Sequence, residues 1–289
     1  MGSIRKIKYW IILVFTVFLT LCPAHLAKAA TGTVNVTGTC DYDRAYKVIG
    51  LVNKERKKKG KSSLKMDGDL MKAAMLRAAE CSVSFSHTRP NGKSCFTVCE
   101  KSYGENIAYG YYMLTEPKEV VESWMDSTEH RKNILRAGYK SIGVGCFSKN
   151  GYCYWVQCFG VTKADTGKLP KTKETTYNVS VKTNIKVSKV AKVKLSAAKQ
   201  KLTLRWKKQK GVSGYKIQIS TSGKFKKAQT SSYTVSKDAT SKSLTMLKGK
   251  SLQAGKRYYV RIRAYIRKKQ KGKMITVCGK WIALNKKSK

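Results

Sequence analysis

Histidine is scarce in this chain. Three occur in 289 residues, and His25 falls in the N-terminal leader, which leaves only His87 and His130. A three-histidine metal site within one chain is excluded, and any imidazole chemistry rests on these two. Acid is nearly absent from the second half. Residues 166–289 hold 35 Lys+Arg against Glu174 and Asp238, a net of +33, whereas residues 31–165 hold 21 against 14, a net of +7. No HExxH, GxSxG or P-loop string occurs, so the common signatures of zinc peptidases, serine hydrolases and nucleotide binding are missing. No apolar run reaches the ~20 residues of a membrane-spanning helix.

What remains is apolar enough to fold. Hydrophobic residues make up 42% of the chain, with 16 Tyr, 5 Trp and 7 Phe, against a net charge of +44. A disordered polycation lacks such content, so folded cores under a highly charged surface are expected. The length predicts about two domains. Arg5, Lys6 and Lys8, the apolar run Tyr9 to Leu21, and Ala27-Lys28-Ala29 have the three-part form of a signal peptide over residues 1–29. The apolar run is too short for a retained anchor. A lipoprotein site at Cys22 is disfavoured by Leu21, where a small residue is needed. The chain is therefore expected outside the cell, with no transmembrane segment after cleavage.

Seven of the other eight cysteines, Cys40, Cys81, Cys95, Cys99, Cys146, Cys153 and Cys158, lie before residue 160, and Cys278 stands alone. Clustered cysteines in an exported chain read as disulfides before metal ligands or nucleophiles. Ile142–Phe147 and Tyr152–Phe159 read as strands about the turn Ser148-Lys149-Asn150-Gly151. In one register that hairpin brings Cys146 near Cys153. Asp41–Lys59 and Asp69–Cys81 show helical spacing of apolar residues. A third helix is expected from about Pro117 to Met125, with Thr115 as its cap. Helices first and a terminal hairpin give an α+β layer fold.

Between these elements run Ser86-His87-Thr88-Arg89-Pro90-Asn91-Gly92, Gly104-Glu105-Asn106-Ile107-Ala108 and Trp124-Met125-Asp126-Ser127-Thr128-Glu129-His130-Arg131. Ile142-Gly143-Val144-Gly145 and Tyr154-Trp155-Val156-Gln157-Cys158-Phe159-Gly160 follow. In this order and spacing the strings resemble the CAP superfamily of cysteine-rich secretory, antigen 5 and pathogenesis-related 1 proteins, in its bacterial SCP-like branch, over about residues 45–160. The resemblance implies an α-β-α sandwich with a central cleft lined by two histidines and two acids. His87, Glu105 and His130 match three of those positions. Ser127 stands at the fourth, and neither Asp126 nor Glu129 matches it.

Two imidazoles and a carboxylate suit Zn²⁺ or another divalent cation, with His87, His130 and Glu105 as ligands. The alternative is a hydrogen-bonded group that ties three loops together without chemistry. A serine nucleophile at Ser86 or Ser127 has weak support. The family implies extracellular binding rather than catalysis, and some members bind lipid. Tyr109, Tyr111, Tyr112 and Met113 fit a lipid groove, but core or a loop cover is the favoured reading.

Past Val193 the pattern alternates. Leu202-Thr203-Leu204-Arg205-Trp206, Tyr215-Lys216-Ile217-Gln218-Ile219 and Tyr259-Val260-Arg261-Ile262-Arg263-Ala264-Tyr265 predict an all-β sandwich with Trp206 in its core. Leu252 to Tyr258 has the form of a tyrosine corner. Together these resemble a fibronectin type III domain. The expected organisation is a signal peptide over 1–29, a CAP-like domain over 40–162, a basic linker over 163–192 and a fibronectin-like domain over 193–285. Alternation places Arg205, Lys207, Lys216, Arg261 and Arg263 outward. With no recognition helix, specific nucleic-acid binding is not expected; anionic cell-wall polymers or acidic polysaccharides are the expected partners, with a lipid or small molecule for the cleft. An extracellular binding protein, associated with the cell envelope, is the leading reading. A metal-assisted peptidase or esterase and a lipid carrier are the alternatives.

Overall fold

The computed structural model describes residues 30–289 apart from Lys168 and Lys271. The expected signal peptide lies outside the described residues. No helix among the described residues is long and apolar enough to cross a membrane.

The first half is an α-β-α sandwich. Its elements are β1 (Ala30–Cys40), α1 (Tyr42–Lys58), β2 (Lys65–Met66), α2 (Gly68–Cys81), β3 (Gly104–Gly110), α3 (Pro117–Asp126), α4 (Thr128–Leu135), β4 (Ser141–Lys149) and β5 (Tyr152–Gly160). Strands β1, β4, β5 and β3 lie side by side in that order, antiparallel, with β3 at the edge. Both long helices start where a side chain takes up free N–H groups. Asp41 accepts from the Arg44 amide, and Asp67 accepts from the amides of Asp69 and Leu70. Helix α3 is capped by Glu116, not Thr115. The Glu119 carboxylate accepts from the Thr115 and Glu116 amides, because an acid one turn into the helix reaches back over its first turn.

Period two divides the sheet. Glu105, Ile107 and Tyr109 of β3 share a face with Cys158, Val156 and Tyr154 of β5 and with Gly143, Gly145 and Phe147 of β4. Helix α2 lies on this face, with its Leu70 and Ala74 backbone against Gly143 and Gly145. Helices α1, α3 and α4 cover the other face, where Trp124 donates to the Ile107 carbonyl and Arg44 reaches Cys153. Buried Arg56 donates to the carbonyls of Ile134 and Arg136 and so fixes the C-terminus of α4.

Residues 173–183 fall in the stretch expected as a linker with at most an edge strand at its end, and they form a long strand. Strand β6 (Lys173–Thr183) pairs with β1 along all eleven residues. Val179 and Val181 alternate into the core, and the intervening Lys and Thr conceal that periodicity in the sequence. The sheet also begins ten residues before position 40, at Ala30.

The second half is a β-sandwich. One sheet holds β7 (Lys194–Ala198), β8 (Lys201–Arg205) and β11 (Ser241–Leu244). The other holds β9 (Gly214–Ser220), β10 (Thr230–Ser236), β14 (Arg257–Gln270) and β16 (Ile282–Lys287). A short ribbon, β12 (Met246–Leu247) with β13 (Lys250–Ser251), stands apart. Leu202, Leu204, Trp206, Tyr215, Ile217 and Val260 fill the core. The Tyr258 hydroxyl accepts from the Gln253 amide at 2.8 Å, which completes the tyrosine corner. Strand β14 runs beyond the sandwich to pair with β15 (Lys273–Cys278), and β15 pairs with β1 at Thr33–Thr276. The halves thus share a sheet, and the Lys273 ammonium donates to the Ser82 and Val83 carbonyls across the junction.

Candidate functional site

The site forms where α2 ends. Arg77 and Glu80 lie on the last turns of α2, and the segment after Cys81 carries His87 across to β3. Arg77 is wholly buried. Its Nε donates to Glu105 Oε2 at 2.7 Å, and its Nη2 donates to Glu105 Oε1 at 3.1 Å and to the Ser86 carbonyl at 2.8 Å. Its Nη1 donates to Glu80 Oε2 at 2.9 Å. Arg89 binds Glu80 from outside, at 2.6 Å to Oε1. His87 Nδ1 lies 2.9 Å from Glu105 Oε1. Two buried carboxylates are therefore held between two guanidiniums and an imidazole, the arrangement that makes buried charge tolerable.

The electrostatics follow from these bonds. Burial favours the neutral acid at Glu105, but the bonds from His87 and Arg77 outweigh it and hold the carboxyl below its usual range. Contacts with Cys95 and Glu105 raise His87 to about 9, so its imidazole keeps a proton at neutral pH. His130 moves the other way, lowered by burial and then by the charge of His87. The sign of the His87 shift sets a stability window. Its bonds contribute fully below about pH 6.5, and that contribution fades as the pH rises through about 9. In an NMR titration His87 is expected to titrate near pH 9 and His130 below its ordinary value of 6.5. Coincident titrations would contradict this charge arrangement.

The expected site residues come together only in part. His87 and Glu105 are bonded. His130 sits half-buried on α4, where its backbone carbonyl accepts from Asn106 at 3.1 Å. The group of potential ligand atoms within 4.8 Å of one another is His87, Cys95 and Glu105. Cys95 joins His87 and Glu105 in this group, while His130 lies close enough to His87 to feel its charge, on a helix held at the β3 edge by Asn106 and Asn133. Ser127 joins α3 to α4 and makes no side-chain cap bond. Ser86 Oγ accepts from the Thr88 amide and so shapes its own loop. A cleft of about 490 Å³ opens beside Glu105, lined by His87, Ser94, Cys95, Phe96, Asn133 and Arg136.

A divalent cation at His87, Cys95 and Glu105 would have to compete with bonds these side chains already make. Both Glu105 oxygens are occupied by a buried guanidinium, and His87 would have to lose a proton it holds well above neutrality. A cation bound there would face Arg77 without free countercharge. The arrangement ties the 86–95 loop to α2 and β3. Sequence reasoning missed Arg77, Glu80 and Cys95. The available signal was a charged pair three residues apart in a helix otherwise apolar on that side.

The hairpin keeps the expected turn, with Asn150 and Gly151 at positive φ. Cys153 pairs with Ser148, which puts Cys146 diagonally adjacent. No disulfide links the eight described cysteines, this pair included. Hydrogen bonding from Cys146 lowers Cys153 to about 6 against the opposing effect of burial, with Ser148 and Arg44 assisting, and Cys146 is raised.

Comparison with known proteins gives two family matches. Residues 49–159 match the CAP, cysteine-rich secretory protein family, and residues 188–276 match the fibronectin type III domain. An uncharacterized protein YkwD of Bacillus subtilis (strain 168) is 35% identical over 145 residues, covering 47% of this chain and 54% of that protein. An uncharacterized membrane protein YlbC of the same organism is 30% identical over 120 residues, covering 39% of this chain and 33% of that one. The matched part thus spans about half of the first relative and a third of the second. An extracellular protein containing a SCP domain from Bacillus anthracis str. Ames superposes with a TM-score of 0.38 at 21% identity, covering 42% of this chain and 41% of that structure. The chain carries a CAP domain of the cysteine-rich secretory protein family over residues 49–159, followed by a fibronectin type III domain over residues 188–276.

Proposed function

We propose that this protein is an extracellular binding protein, retained on anionic polymers of the cell envelope by its fibronectin type III domain, with the CAP domain as its recognition unit. The charge of the second half carries this reading. Residues 166–289 hold 35 cationic side chains against two acids, and none of the described Lys or Arg there is buried. One acid, Asp238, is already paired with Lys208 at 2.6 Å. The cationic surface is thus almost without internal countercharge and attracts polyanions over the range of the Debye length. The leader-like first 29 residues direct the chain away from cellular nucleic acid. Teichoic acids and acidic polysaccharides then become the abundant polyanions within reach. A cleft of about 830 Å³ between the halves carries the same sign, with Lys182, Lys186 and Lys273 around Val34, Val181 and Ile275.

The test is retention on isolated cell walls as a function of salt. Near-complete retention is expected at low ionic strength, with release by about 0.5 M salt, where the Debye length falls to a few ångströms. Soluble teichoic acid should compete. Absent or salt-insensitive retention would overturn the reading, and so would competition by duplex DNA at much lower concentration than by teichoic acid.

A further inference from the structure

We infer that the CAP domain carries a polysaccharide-binding track, a patch of largely exposed aromatic rings across the ends of β3 and β5 that stacks on sugar rings. Tyr109 lies directly across from Tyr154, with ring centroids 6.0 Å apart and planes at 16°. Tyr152 follows Tyr154 at 6.1 Å, Tyr111 lies 4.7 Å from Tyr152, and Tyr112 lies 4.3 Å from Tyr111. At the other end Phe85 meets Tyr109 at 4.6 Å. Six rings therefore gather in one patch, with Tyr111 and Tyr152 forming a second pair across the strand ends beside Tyr109 and Tyr154.

Helix α2 packs on the sheet face of Tyr109 and Tyr154, at Gly143 and Gly145, and ends at Cys81, beside Tyr154. Tyr112 and Met113 are 84% and 75% exposed, so they are not core, and the segment covers the sheet with its outer side bare. The rings are nevertheless fixed. Trp155 donates to the Leu114 carbonyl at 2.7 Å and holds the segment against the sheet. Gly151 leaves the space in which Tyr111 rests, since a Cβ there would lie 2.5 Å from that ring. Six of the eight exposed large hydrophobic side chains described in the first half gather here, which distinguishes the patch from ordinary scattered exposure.

The chemistry of the patch selects the occupant. Each tyrosine offers an apolar face and a hydroxyl at its rim, which complements a pyranose ring with its C–H face and hydroxyl edge. The rings form an open patch two strands wide rather than a pocket, so the matching ligand is an extended one that lies across several rings. Met113 is the one exposed aliphatic member; its neighbour Leu114 is half-buried, and no exposed leucine, isoleucine or valine extends the patch as an acyl chain would require. From Phe85 at one end of the patch the chain reaches the cleft within two residues, at His87, where Thr88, Ser94, Asn133 and Arg136 offer hydrogen-bonding groups to sugar hydroxyls. Stacking of this kind does not rest on the charge of the fibronectin domain, so the two readings fail separately.

The test uses the full mature chain and calorimetry with linear β-1,4-linked N-acetylglucosamine and glucose oligomers, in about 0.5 M salt to suppress charge attraction. Binding is expected to persist there. Tyr111→Ser with Tyr152→Ser should weaken it about tenfold. Tyr112→Ser, at a side chain too exposed to unsettle the core, should weaken it measurably on its own. Unchanged affinity in these variants would overturn the proposal. So would absence of binding to either oligomer, or binding to phosphatidylglycerol vesicles in their place. Salt-resistant oligomer binding without wall retention would uphold the track and reject the charge-based reading.

Discussion

Arg77→Met is expected to destabilise the protein by about 3–5 kcal/mol at pH 7, measured by urea denaturation. Methionine fills much of the same space, so the loss is electrostatic rather than a cavity effect. Arg77 joins Glu105 through two bonds and Glu80 through a third, all out of water. Its removal leaves Glu105 with His87 alone and Glu80 with Arg89 alone. The deficit should also depend on pH. In the parent protein the Glu105 carboxyl is depressed, so its bonds stabilise the fold above the unfolded pKa and are lost as the pH falls through the folded one. Without Arg77 burial dominates, the carboxyl pKa rises, and ionised Glu105 becomes a liability. The difference between variant and parent should therefore shrink toward pH 4. Adding Glu105→Gln to the variant should recover part of the loss at pH 7. A deficit below about 1 kcal/mol, or one independent of pH, would show that Arg77 is not balancing these carboxylates.

Much of this architecture was legible in the sequence for a local reason. Asp41 and Asp67 stand directly before apolar residues at helical spacing, and Asn150-Gly151 is a turn dipeptide between two strands. Each signal acts within a few residues. The tyrosine corner is of the same kind, with Gln253 and Tyr258 five residues apart. Strand β6 was missed because its pairing with β1 joins residues some 140 positions apart, as at Val34–Val179. Its lysines also read as linker. In the site, His87 and Glu105 were identified by their strings, but their common neighbour Arg77 was not. A buried arginine on a helix looks like any surface arginine until the strand opposite it is known. His130 shows the converse. Its string was recognisable, yet its place at the β3 edge is set by Asn106 and Asn133, whose bonds no spacing rule reveals. The aromatic track was half-visible, since Tyr109, Tyr111 and Tyr112 stand close in sequence, whereas Phe85, Tyr152 and Tyr154 join them only through the sheet.

Gly143→Ala is expected to cost about 3 kcal/mol or more, because the added methyl meets main chain rather than a side chain able to move. A Cβ at Gly143 would lie 2.0 Å from the Leu70 carbonyl carbon and 2.4 Å from the Met71 nitrogen. At Gly145 it would lie 2.4 Å from the Ala74 carbonyl oxygen. Relief in either case means lifting α2 from the sheet. That helix carries Arg77 and Glu80 and leads into the loop of His87, so the same substitution should disturb the site. His87 in the variant should titrate closer to 6.5, as its contacts with Cys95 and Glu105 loosen. Gly50 provides the opposite case. It lies within α1, a Cβ added to it would meet nothing within 4 Å, and its φ is ordinary. Gly50→Ala should therefore raise stability by about 0.5–1 kcal/mol through helix propensity and a less disordered unfolded chain. Both variants add one methyl, so opposite signs in urea denaturation would tie the effect to the close approach of α2. Equal, small effects would show that the helix yields freely and that the sheet does not fix the position of Arg77.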